Sequence, residues 1–186
     1  MKTLRFLPTL KLVALVLIAQ LIFSASAQAD SKVEIDLYVE EALKQFQKET
    51  TAGAQLAAQA KGMLVFPKVY KAGIGIGGEY GEGVLQVGGS TVGYYNTAAA
   101  SFGFQLGAQI KSQIILFMTD AALQKFRNSE GWEAGVDGSV AIATIGAGGQ
   151  IDTNTIQQPM IGFIFSNKGL MFNLSLEGSK ITPIVR

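Results

Sequence analysis

The spacing of apolar and polar positions changes twice along the chain, and each change marks a different kind of structure. Leu12 to Phe23 is apolar apart from Gln20, with Lys2, Arg5 and Lys11 around its start and Ala27-Gln28-Ala29 behind it. A basic start, a short apolar run and a small-x-small site form the pattern of an export signal, here expected to be cut after Ala29. The run falls short of the roughly 20 residues that a spanning helix needs, so a retained anchor is the weaker reading. From Val33 to about Lys48 the period becomes helical. Ile35, Val39, Ala42, Leu43 and Phe46 share one face, with Glu34, Glu40, Glu41, Lys44 and Lys48 elsewhere. Ser31 stands at the N-cap position with Glu34 three residues on, the capping-box spacing. An Ala-rich helix follows, Thr51 to Ala60, with Gly62 as its expected C-cap.

At Met63 the period shortens to two. Met63 to Phe66 reads as a short strand stopped by Pro67, and the Gly-rich stretch to Gly89 and then Ser90 to Tyr95 keep strand alternation. Ala100 to Met118 reads as one or two longer strands. Thr119 caps a short helix, Asp120 to Asn128, with Leu123 and Phe126 inward. Gly138 to Gly149 is strand again, and the end is a hairpin of Ile161 to Phe165 and Leu170 to Leu176, turning at Ser166 to Gly169. The predicted class is α+β. N-terminal helices lead into a Gly-rich, mostly antiparallel, strongly curled or barrel-like sheet with one short inserted helix. Two segments are expected: the signal peptide, 1–29, and a single domain, 30–186.

Composition narrows the chemistry. The leader holds three of the 15 basic residues and none of the 14 acidic ones, so the remainder is slightly acidic and carries no footprint for nucleic acid. Without His or Cys there is no Ser-His-Asp system, no ordinary zinc site, no disulfide and no lipoprotein cysteine. No cofactor or metal is expected. All 22 glycines lie beyond residue 29, among β-branched and aromatic residues, which points to close packing of strands.

Three motifs bear on function. Gly73-Ile74-Gly75-Ile76-Gly77-Gly78 has the letters of a dinucleotide loop, but strand alternation continues through Glu79-Tyr80-Gly81-Glu82-Gly83 where a helix would have to begin. Glu79, Glu82, Asp120, Glu130, Glu133, Asp137 and Asp152 could supply a hydrolase pair only if two of them converge, and their default place is the surface. Asp152-Thr153-Asn154 begins like a calcium loop without the glycine and distal Glu, and reads as a polar turn. Lys61, Lys68 and Lys71 are interleaved with Phe66 and Tyr70. Read blandly, these are solvated lysines at a strand end. Read functionally, they are a basic and aromatic patch for an anionic lipid surface.

Ala60 to Leu85, Phe102 to Leu123, Gly138 to Gly148 and Ser166 to Ile181 together resemble the SYLF domain. The marks stand in family order: Lys-Gly-strand-Pro, the Gly-x-Gly-x-Gly-Gly-x-x-Gly-x-Gly stretch, Gly-x-Gln-x-Gly-x-Gln at Gly103 to Gln109, Thr-Asp-x-Ala-Leu, and the closing Lys-Gly-Leu and Leu-Glu-Gly-Ser. The resemblance implies a non-enzymatic, lipid-binding module. In eukaryotic members, phosphoinositides are held through an N-terminal amphipathic helix and nearby basic residues, and some fungal members bind actin. Here Glu34, Asp36, Glu40 and Glu41 on the first helix weaken simple electrostatic docking. Phosphoinositides and actin are not expected partners in a bacterial periplasm. The expectation is an exported, periplasmic domain contacting anionic membrane lipids through Lys61, Lys68, Tyr70 and Lys71, with the apolar face of the first helix as second candidate. An outer-membrane β-barrel and a carboxylate-based hydrolase remain the alternatives.

Overall fold

The computed structural model describes residues 30–143, 151–169, 176 and 178–186. The expected signal peptide, the second half of the 138–149 strand and most of the 170–176 strand lie outside them; in the described half, 138–143, only Ala141–Ile142 is strand.

Helix α1 (Lys32–Glu49) opens on the expected capping box: Ser31 Oγ accepts from Glu34 N at 3.3 Å and Glu34 Oε2 accepts from Ser31 N at 2.8 Å. These bonds hold the Glu34 carboxyl below its ordinary range. Its buried stripe is Ile35, Val39, Ala42 and Phe46. Thr50 ends α1 and caps α2 (Thr51–Gln59), taking Gly53 N on its hydroxyl at 2.9 Å. Gly53 lets α2 lie close against α1, since a Cβ there would sit 2.7 Å from Phe46 Cζ. The helix ends at Ala60 in extended conformation, and Gly62 is not its cap but the first residue of the sheet.

Strands β1 (Gly62–Val87) and β2 (Ser90–Phe117) form one long antiparallel hairpin. Gly88 and Gly89, at φ +57° and +79°, make the turn, a pair of left-handed positions suited to glycine. Pro67 does not stop the strand. The register shifts between Phe66 and Val69, so the residue without an N–H falls in a bulge and pairing resumes beyond it. A straight strand of this length would run roughly 85 Å at ~3.3 Å per residue, so the hairpin must fold back on itself. It does so where the register shifts again between Ile74 and Ile76 and where Gly73 lies against Gly77. Beyond that bend, β1 crosses its own first half. A Cβ on Gly81 would lie 2.6 Å from Lys68 O, and one on Gly83 would collide with Val65 O and sit 2.8 Å from Phe66 Cδ1.

The rest of the chain completes the sheet. After α3 (Asp120–Arg127), capped by Thr119 as expected, come β3 (Trp132–Glu133), β4 (Ala141–Ile142), the short helix α4 (Thr153–Ile156), β5 (Met160–Gly169) and β6 (Lys180–Ile184). With β1 along one edge of β2, β5 pairs with Gln109–Phe117 and β6 with Tyr94–Ala98 on the other; β3 adds to β6, and β4 joins β5 in parallel. The turn expected at Ser166 to Gly169 is instead strand, since Lys168 and Gly169 pair with Ile110 and Gln109. Asp152 is the cap of α4, accepting from Thr155 N at 3.0 Å, rather than part of an open turn.

Two apolar clusters hold this α+β fold. One lies between α1 and the sheet, where Ile35, Val39 and Phe46 meet Val65, Val84, Ile114, Leu116, Phe163 and Phe165. The other fills the curl, with Leu64, Phe66, Val69, Leu85, Ile115 and Phe117 against Leu123, Phe126 and Trp132. The crossing at Gly83 gives a direct test. Gly83→Ala forces a Cβ against a carbonyl that no rotamer change can move, and overpacking of this kind costs about 1–3 kcal/mol or more. Gly78→Ala meets only Ala99 O at 3.8 Å and is the neutral comparison. Equal urea midpoints for the two variants would mean the strands are not in close contact at Gly83.

Candidate functional site

Alternation along β1 divides the expected lysine patch. Successive strand residues face opposite sides, so Lys68 and Tyr70 point away from the curl while Val69 and Lys71 point into it. Lys61 is exposed at the strand start, and its backbone N–H donates to Phe117 O at 2.8 Å. Lys68 is partly buried, with Nζ 3.0 Å from the centroid of the Tyr38 ring on α1. Tyr70 is 50% exposed beside its cross-strand partner Ile110. Lys71 is only 4% exposed. It does not belong to a solvated patch, because it is one arm of an internal ion cluster.

The apolar face of α1 is likewise taken. Val39 and Phe46 are core residues, at 2% and 1% exposure, and Phe46 meets Phe163 edge-on and Phe165 at a tilt, at ring distances of 5.0 and 5.4 Å. What α1 leaves outside is Val33 and Leu37, one helical turn apart. The helix is tied to the sheet through Tyr94. Its hydroxyl donates to the Asp36 carboxylate at 2.9 Å, and Lys32 Nζ lies 5.4 Å from its ring centroid. Burial first, and the hydrogen bond to Asp36 second, push the Tyr94 phenol up to about 12. The outward side therefore presents Val33 and Leu37 on α1 and Tyr70 and Ile110 on the sheet, with the Lys68–Tyr38 contact joining helix to strand.

Inside the curl, Glu79 reaches from beyond the bend to two lysines of the first half. Its Oε1 lies 2.9 Å from Lys71 Nζ and its Oε2 2.8 Å from Lys111 Nζ. Gln109 and Gln113 stand two residues to either side of Lys111, on the same face of β2, and both are buried. Glu82, three residues from Glu79, faces the other side of the strand, where Oε1 accepts from Tyr80 Oη at 2.7 Å and pairs with Arg186. Glu79 and Glu82 thus cannot act together on one substrate. Asp137 accepts from Glu133 N at 2.7 Å, and Asp152 is a helix cap. Among the described residues no group of three or more acids is placed to hold a metal ion. The Gly73–Gly78 run is strand throughout, with no helix start to hold a pyrophosphate.

The pattern in the sequence missed the Glu79 cluster. Its signal was there in Lys71, Glu79 and Lys111 as charged residues at inward-facing strand positions, but only the bend brings the three together.

A family model described as Ysc84, Las17-binding protein actin regulator, matches residues 98–184, from within β2 to the end of β6. No curated protein matches the chain. Over residues 98–184 the chain is thus similar to the Ysc84, or SYLF, family, in agreement with the motif order seen from Ala60 onward.

Proposed function

We propose that this chain is a non-enzymatic, exported domain that docks on anionic membrane lipid through its outward surface at Lys61, Lys68, Tyr70 and Ile110 and the free Val33 and Leu37 of α1. The observation that carries the reading is the 50% exposed Tyr70, set on a rigid sheet beside Lys68 and an exposed Ile110. An aromatic and an aliphatic group at an interface supply apolar anchoring, and each nearby ammonium adds about 1 kcal/mol at an anionic surface. Lys71 has no part in this surface. No helix among the described residues is long and apolar enough to cross a bilayer, so docking on the surface is the mode proposed. A barrel in lipid would need the outer face of its sheet free for acyl chains, and α1 covers much of that face here. The family description names an actin regulator; the proposal keeps membrane lipid as the partner, since export would separate the chain from actin.

Flotation of residues 30–186 with phosphatidylglycerol vesicles tests this, with phosphatidylcholine vesicles as control. Binding should weaken between 0.1 M and 1 M salt as the Debye length falls from ~10 to ~3 Å. Lys61→Gln with Lys68→Gln should cost about 2 kcal/mol, a roughly 30-fold loss, and Leu37→Asp should weaken binding without unfolding the domain. Binding indifferent to salt and to all three substitutions would sink the surface. Export is tested separately: the N-terminus of the secreted protein should be Asp30, and a protein still beginning at Met1 would refute cleavage after Ala29.

A further inference from the structure

We infer that the interior cluster of Lys71 and Lys111, with Gln113 beside them, is a binding site for a small oxyanion of the phosphate class. The argument starts from charge. Two ammonium groups, on Lys71 at 4% and Lys111 at 0% exposure, converge on a single carboxylate, Glu79, itself 8% exposed. The other buried acid, Glu82, is held by Arg186 and faces away. The described residues therefore leave one positive charge in excess within the fold. Uncompensated charge of this kind is costly in an interior, and nature balances it by pairing.

Hydrogen bonding points the same way. Lys111 Nζ has no partner among the described residues besides Glu79 Oε2, 2.8 Å away, so donors of its ammonium remain to be satisfied. Gln113 Oε1, on the same face, also lacks a partner among them. Turning that amide end for end would present an N–H2 group to an anion. An oxyanion beside Glu79 would take charge-assisted bonds from both lysines, the strong kind, and would cancel the excess. Access is from the side of Glu79 and Lys71, which keep a sliver of exposure next to the exposed Ala72 and Gly78 at the bend. Lys111, at 0% exposure, lies deepest of the three. The same phosphate chemistry belongs to a free ion and to the end of a lipid headgroup.

This site is separate from the outward docking surface, and one can fail without the other. The test is thermal unfolding and calorimetric titration of residues 30–186 with sodium phosphate, against sodium chloride at matched ionic strength. A second arm uses dihexanoyl phosphatidic acid below its micelle concentration. The expected result is a saturable rise in the unfolding midpoint with phosphate, reduced at least tenfold in apparent affinity by Lys111→Met. Lys71→Gln is the second variant should Lys111→Met not fold. Saturation by phosphate alone assigns a free oxyanion, and saturation by both ligands assigns a site that a headgroup can also enter; either supports the inference. A rise that never saturates and is equal in wild type and variants is general salt exclusion and overturns it. So does a saturable effect that disappears in Lys61→Gln with Lys68→Gln, because the anion would then sit on the surface.

Discussion

Glu79→Gln should lower the free energy of unfolding by about 3–5 kcal/mol, the range for removing one partner of a buried ion pair. The amide keeps the shape of the side chain and removes its charge. Two buried ammonium groups, 2.9 and 2.8 Å from the former carboxylate, would then be left with no negative charge between them. Trp132, the only tryptophan and buried in the curl, reports the transition by fluorescence in urea. The double variant Glu79→Gln with Lys111→Met should recover part of the loss, because it removes one of the charges left unpaired and fills the space with an apolar chain of similar length. A single variant within about 1 kcal/mol of wild type, or a double variant with simply additive losses, would show that the three charges are not coupled.

Phe46→Ala should cost a similar amount, about 3–5 kcal/mol, for a different reason. The ring is 1% exposed, wedged between Phe163 and Phe165, and lies over Gly53 of α2. Nothing small can close the space it would leave, because the backbone of α2 and two strand side chains frame it. The same position separates two ideas about α1. If its buried stripe were the membrane contact, Phe46→Ala would abolish vesicle binding in a protein that still folds as tightly as wild type. The packing predicts instead a large drop in the urea midpoint. Leu37→Asp, on the exposed side, should leave that midpoint within about 0.5 kcal/mol.

Local signals were legible wherever the chain decides its own conformation. Ser31 and Glu34 mark the start of α1, Thr119 marks the start of α3, and the 3.6-residue stripe names Ile35, Val39, Ala42 and Phe46 as one face. What that face packs against was not legible, and an amphipathic stripe reads equally as core or membrane contact until the sheet is seen beneath it. Pro67 misled because proline is a poor strand residue on average, while here a bulge absorbs it. Ending the strand there hid the alternation that sends Lys68 outward and Lys71 inward, so three lysines near in sequence looked like one patch. The Gly-rich run announced close approach of backbones but not of which ones. Gly81 and Gly83 meet Lys68 and Val65 only because the hairpin doubles back between them. The Glu79 cluster depends on the same doubling, which no periodicity encodes.

The hairpin that builds most of the sheet also imposes an order of assembly. Its pairing begins with neighbours in sequence, Val87 with Ser90 around the two glycines, and ends with Gly62 opposite Phe117. Each step outward brings together residues farther apart along the chain, and closing loops of growing length is what slows the folding of β-rich domains. A ribbon zipping from Gly88 and Gly89 never faces the whole of that entropy at once, because every new pair is adjacent to one already made. β6 can dock early on Tyr94–Ala98, close to the turn, whereas β5 must wait for Gln109–Phe117 at the far end. The seat for α1 is finished only when Phe163 and Phe165 of β5 arrive, so α1, synthesised before the sheet it packs on, is among the last elements to find its place.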